Sequence, residues 1–301
     1  MGCGSWSSRD WSSYSSSSIS GRSSSGIYTK TTINKDFDPK NVIRESCDSD
    51  DHPNSTPIIL GLEVTGSMSG ILTTMAEKLG ILVGEILKRN PVSDPQILFS
   101  AIGDATCDSY PLQVTQFESD IRIAKQLTDV YFERGGGGNG FESYPLTWYF
   151  AANHTKCDNY LKRNKKGFIF TFGDDGYPEK LTKSEIKEIF GDDIEANIPT
   201  TSLLNQVNRQ FEVYHFCMEA GGSYCEEDYR KWQELLGERA IKVRDYEKIP
   251  ELIVSILEAH AGKDKDEIIK SWDGSTAIAV ADALSGLSVN KQTGDNDLVE
   301  F

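Results

Sequence analysis

The sequence predicts an α/β protein with a doubly wound, mostly parallel central sheet and helices on both faces. Short apolar runs recur at 57–62, 96–102, 112–117, 167–172, 212–218 and 240–243, each long enough for one buried strand. Between them lie segments with helical spacing, clearest at Ile71, Met75, Leu79, Leu82, Val83, Ile86 and Leu87. Polar or glycine-rich joins close the strands, as Gly173-Asp174-Asp175-Gly176 does after 167–172.

Composition bounds the class of protein. With 301 residues, 38% hydrophobic and 26% charged, the chain is expected to form one main domain with added tails, soluble and cytoplasmic. No apolar run is long enough to span a bilayer, so no membrane partner is expected. The start, Met1-Gly2-Cys3-Gly4-Ser5-Trp6, lacks the order of a signal peptide, and Trp6 stands where a myristoylation signal has Ser or Thr. Six scattered cysteines suggest neither a zinc ribbon nor a disulfide scaffold. A net charge of -15 opposes nucleic-acid binding, which draws on Lys and Arg. The run Lys162, Arg163, Lys165, Lys166 is the exception, and it reads best as a solvated helix end.

Four regions are expected. Residues 1–26 hold thirteen serines by position 25 and are predicted to be a disordered tail, with Trp6, Trp11 and Tyr14 spaced as in a docking peptide or by chance. Residues 27–56 form an extension, 57–261 the α/β domain, and 262–301 a helix near 276–287 with an acidic end. Inside the domain, helices are predicted at 71–87, 120–131, 144–160, 226–236 and 249–260.

The first strand runs into Glu63-Val64-Thr65-Gly66-Ser67-Met68-Ser69, which sets an acid and two hydroxyls at alternate positions of a tight turn. Their oxygens can converge where strands of an open α/β sheet end, the usual place for a ligand. A hard cation such as Mg²⁺ suits such oxygens.

These residues resemble the von Willebrand factor A (vWA) family, whose metal-ion-dependent adhesion site carries D-x-[ST]-x-S on its first loop. Thr65 and Ser67 match, while Glu63 stands at the Asp position. Residues 135–143 resemble the family's glycine-rich second loop, and Phe172-Gly173-Asp174-Asp175-Gly176 its acidic third loop. The resemblance covers about 57–260 and is nearest to intracellular bacterial and phage members with the Val-Thr-Gly-Ser-Met wording and a Gly-Asp after the second strand, Gly103-Asp104. It implies a Rossmann-like fold and a metal site drawing on Glu63, Thr65, Ser67 and Asp174, with Glu142 and Asp104 as further candidates. Mg²⁺ is the expected ion, with Mn²⁺ or Ca²⁺ as substitutes. It also implies a non-enzymatic protein whose partner presents an acidic residue, such as an AAA+ ATPase of the MoxR type or a phage assembly.

Other accounts of the same residues stay open. Thr65 and Ser67 could cap the following helix, and Asp174 and Asp175 could merely shape a turn. Asp104 could orient a ligand or only its loop. Glu63, one methylene longer than Asp, shifts the carboxylate by about 1.5 Å, a large displacement for an ion needing contacts of about 2.0–2.1 Å. A virion or scaffold protein with a degenerate site, and a Mg²⁺-dependent phosphoryl hydrolase, are the rival readings. No phosphate loop or nucleophile elbow occurs, and the glycine run 135–140 lacks the strand that a dinucleotide site requires. The histidines His52, His154, His215 and His260 have no zinc-ligand spacing.

Overall fold

A computed structural model of the protein describes residues 4–132 and 140–288. Its centre is a six-stranded sheet of β1 (Thr56–Glu63), β2 (Pro95–Ile102), β3 (Leu112–Val114), β4 (Gly167–Gly173), β5 (Phe211–Met218) and β6 (Ala240–Val243), in the order β6-β5-β4-β1-β2-β3. All neighbours are parallel except β3, which runs antiparallel to β2 at one edge. The helices are α1 (Ser8–Ser18), α2 (Ser69–Arg89), α3 (Arg122–Thr128), α4 (Pro145–Asn153), α5 (Asp158–Arg163), α6 (Lys183–Phe190) and α7 (Thr200–Val207). After them come α8 (Glu226–Leu236), α9 (Ile249–His260), α10 (Lys265–Lys270) and α11 (Gly274–Leu284).

The run Ile58-Ile59-Leu60-Gly61-Leu62 becomes the central strand because it has no polar side chain to leave in either core. Successive residues point to opposite faces. Ile58 and Leu60 join one core with Leu79 of α2 and Ile253 of α9, while Ile59 joins another with Trp148 of α4 and Trp232 of α8. Gly61 is required for space, since a β-carbon there would lie 2.9 Å from Thr171 Cγ2.

Register then sets the site. Glu63 lies opposite Ile102 of β2, and Leu62 opposite Phe172 of β4, so the chain leaves β1 and β4 side by side. Both exits are at carboxyl ends of parallel strands.

Three expectations need correction. The Ser-rich segment is ordered over its described part, because its few aromatics find partners. Trp6 and Trp11 stack with centroids 5.8 Å apart, both pack against the first core, and the Tyr14 hydroxyl bonds Thr128 Oγ1 at 2.5 Å. Trp11 lies so near α2 that a β-carbon on Gly80 would come within 2.1 Å of its Nε1.

The helix predicted over 144–160 is also broken. Thr155–Cys157 forms a parallel pair with Arg44–Ser46 of the extension, dividing α4 from α5. Helical periodicity cannot reveal a distant strand that captures the backbone in between.

The region after 261 holds two helices where one was predicted, and Ile268, Val280, Leu284 and Leu287 join the first core. The glycines at 135–139 and the acidic end, 289–301, lie outside the described residues.

Trp11→Ala is expected to lower the free energy of unfolding by about 2 kcal/mol, since it removes a large, partly buried ring. Urea unfolding with an unchanged slope would establish this. An unchanged midpoint would mean the amino-terminal segment is not integral to the fold.

Candidate metal site

The turn after β1 places three oxygen-bearing side chains on one point. Backbone at Thr65 is extended (φ -85°, ψ 169°) and enters the one-turn helix Gly66–Met68, so Glu63, Thr65 and Ser67 face the same way. Thr65 Oγ1 donates to Glu63 Oε1 and lies 3.2 Å from Ser67 Oγ. Ser67 Oγ in turn donates to Asp174 Oδ1 at 3.0 Å, tying the first loop to the turn after β4. Neither Thr65 nor Ser67 makes a side-chain cap at the start of that short helix. Their hydroxyls are spent on carboxylates instead.

Carboxylate oxygens of Glu63, Asp174 and Asp175 all lie within 4.8 Å of one another. Glu63 is fully buried and Asp174 nearly so. Both Asp174 and Asp175 therefore belong to the cluster.

The longer side chain at 63 has a structural use. Glu63 Oε2 accepts from the Tyr144 hydroxyl and, at 3.3 Å, from the Asp174 backbone N-H, while Oε1 faces the two hydroxyls. A β-carbon on Gly173 would fall 2.4 Å from Glu63 Oε2, so glycine makes room for that reach.

Glu142 and Asp104 stand outside the cluster of three. Glu142 is 3% exposed and its Oε2 has no hydrogen-bond partner among the described residues. Asp104 accepts from the Thr106 backbone N-H at 2.8 Å and from the Thr106 hydroxyl. These bonds fit either of its expected roles, orienting a ligand or shaping its loop. Ser143 accepts from the Ala105 backbone N-H at 2.9 Å.

Three further contributors had no legible signal. Tyr144 closes the floor of the site, and its ring meets His215 and Trp232 edge-on at 4.8 and 5.4 Å. Trp232 Nε1 donates to the Asp175 carbonyl at 3.1 Å, and the Ser223 backbone N-H donates to Asp174 Oδ2 at 2.7 Å. All three come from distant segments, so only the fold unites them; Tyr144 was noticed merely as a helix start.

Electrostatics follow from crowding. Burial, reinforced by Asp174, raises the Glu63 carboxyl well above the usual range. Burial and then Asp174 push Asp175 up to about 6, and burial followed by Glu63 pushes Glu142 up to about 10. Burial and then Glu63 also raise the Tyr144 phenol, which stays a donor. So many acids in little solvent favour either bound protons or a bound cation.

No family model matches the chain, and no curated protein matches it. Among solved structures it is similar to the open conformation of the pilus adhesin SpaC from Lactobacillus rhamnosus GG, at 11% identity and a TM-score of 0.45, over 77% of this chain and 31% of that one. Proximal thread matrix protein 1 from the mussel byssus is similar at 9% identity and a TM-score of 0.45, over 73% of this chain and 49% of that one. The chain thus spans between about a third and about half of each of those proteins.

Raised carboxyl values have a definite sign. The folded chain holds protons that the unfolded chain releases above about pH 4, so this contribution to stability is complete below that pH. It is lost as pH rises through about 6 for Asp175 and on towards about 10 for Glu142. In EDTA, the melting midpoint of the wild type should therefore fall between pH 6 and 9 more steeply than that of Glu142→Gln. Parallel curves would contradict the assignment.

Proposed function

We propose that the chain is a vWA-type, doubly wound domain whose metal site binds a protein partner. The observation that carries this is the meeting of three carboxylates within 4.8 Å with the Thr65 and Ser67 hydroxyls, at the carboxyl ends of adjacent parallel strands. These donors are all oxygen, which fits Mg²⁺, with Mn²⁺ or Ca²⁺ as substitutes.

Thr65, Ser67, Glu63 and Asp174 would hold the ion, with Asp175 beside them. When bound, the ion supplies an electrophilic centre that accepts a carboxylate oxygen from a partner's acidic residue. Thr65 and Ser67 would turn their lone pairs to the ion and keep their protons on Glu63 and Asp174. Tyr144 and the Asp174 backbone N-H hold Glu63 in place, so little order remains to be gained on binding. Glu142, protonated in its buried position, would not repel the incoming acid. By the same resemblance, a AAA+ ATPase or a phage or bacterial assembly is the class of partner.

A phosphoryl hydrolase on a similar sheet is the reading against which this one is set. Apart from Arg134, which lies outside the described residues, the three loops 63–69, 135–143 and 172–176 contain no Lys or Arg, so a transferring phosphoryl group would lack its usual stabilisers.

The decisive comparison uses wild type and the double variant Thr65→Ala, Ser67→Ala. Mn²⁺ or Mg²⁺ at about a hundredfold its Kd should stabilise the wild type by about 2.7 kcal/mol. That corresponds to a rise of roughly 5–10 °C in melting midpoint, absent with EDTA and in the variant. Metal-dependent capture of a partner should be lost in the same variant. Wild-type turnover of an aryl phosphate, absent from the variant, would instead establish the hydrolase. Glu63→Asp, which restores the family's residue but gives up the reach to Tyr144, is expected to change metal affinity at least tenfold, measured by isothermal titration.

A further inference from the structure

The opposite end of the sheet carries a second cleft, of about 210 Å³, beside the first residue of β1 and the start of β4. Eight strand residues separate it from the acidic site, about 25 Å. Arg163, Lys165 and Lys166 line it, and no carboxylate does. In a chain of net charge -15 that local sign is reversed.

Three of the run's four cations already have a carboxylate partner. Lys162 and Arg163 sit in the last turn of α5, where a helix end favours positive charge, and both pair with Asp48, at 3.2 and 2.7 Å. Lys165 and Lys166 lie beyond the helix. Lys166 reaches Glu212 at 3.1 Å, and Lys165 has no ion pair among the described residues. The acids that pair with Arg163 and Lys166 do not line the cleft, so they steady these cations from outside it.

The remaining lining is part polar and part apolar. Ser93 and Thr56 bring hydroxyls, and Phe168 and Leu257 bring apolar surface. Two buried wall residues keep hydrogen-bonding capacity unspent. Asn159, 2% exposed, donates from Nδ2 to the Lys165 carbonyl at 3.0 Å, which fixes its orientation, and its Oδ1 has no partner among the described residues. His260, 5% exposed, meets the Tyr214 hydroxyl through Nε2 at 2.6 Å, and its Nδ1 has none among the described residues. A single ordered water needs only about 10–15 Å³ of such space, so the cleft has room for a small molecule.

We propose that this cleft binds a small, hydroxylated phosphate ester, its phosphate on Lys165, Lys166 and the outer face of Arg163 and its hydroxyls on the Ser93, Thr56 and Asn159 side. Phosphate chemistry suits paired cations, and the hydroxyl groups supply the donors that Asn159 Oδ1 lacks. This assignment does not depend on the metal reading of the other end.

The test is a melting and calorimetric titration of the full chain with ribose 5-phosphate, inorganic phosphate and ribose. Ribose 5-phosphate at tenfold its Kd should raise the midpoint by roughly 3 °C. The double variant Lys165→Gln, Lys166→Gln, checked for unchanged circular dichroism because Lys166 pairs with the buried Glu212, should lose the shift, and Thr65→Ala, Ser67→Ala should keep it. No shift in the wild type, or one that survives loss of both lysines, overturns the proposal. Inorganic phosphate acting as strongly as the ester overturns the ester and leaves a bare oxyanion site.

Discussion

A carboxyl group with no access to solvent, at the end of the central strand, is the constraint on which the rest turns. Glu63 is fully buried, and an isolated charge there would be prohibitive. The surroundings answer with donors: Thr65, Tyr144 and the Asp174 backbone N-H all point at its two oxygens. Such donors favour the charged form, whereas burial and the neighbouring acids Asp174 and Asp175 oppose it. The Glu63 carboxyl is held between these opposites.

Much of that site was legible because its first loop is local. Glu63, Thr65 and Ser67 are two residues apart, and strand-to-turn geometry is enough to aim them together. Asp174 was reached only through the family resemblance of its acidic loop, since nothing in its own Asp-Asp-Gly turn says that β4 lies beside β1. Glu63 was expected to strain the site by its extra methylene. The structure shows what that length reaches, a phenol on α4's entry and a backbone N-H in the turn after β4. Glu142 and Asp104 were less well placed, because a glycine-rich loop and a Gly-Asp step do not fix how far a side chain extends.

The fold shows the same division between local and distant causes. Strands β1, β2, β4 and β5 are rich in apolar residues and almost wholly buried, and helix α2 is a long amphipathic stripe, so each announces itself. The Ser-rich start misleads because disorder was inferred from average composition. Three aromatics, Trp6, Trp11 and Tyr14, are enough to pin it once α2 offers Gly80 and α3 offers Thr128. Thr155–Cys157 misleads for the converse reason, since its partner strand lies more than a hundred residues earlier.

The most direct measurement is a crystal of the protein soaked in MnCl₂ and recorded at the manganese absorption edge. The account expects one anomalous peak bounded by Glu63, Thr65, Ser67 and Asp174, with oxygen contacts near the ~2.1 Å typical of a hard divalent cation. A map with no peak there, and Glu63 hydrogen-bonded to Tyr144 and Thr65 as described above, would contradict it.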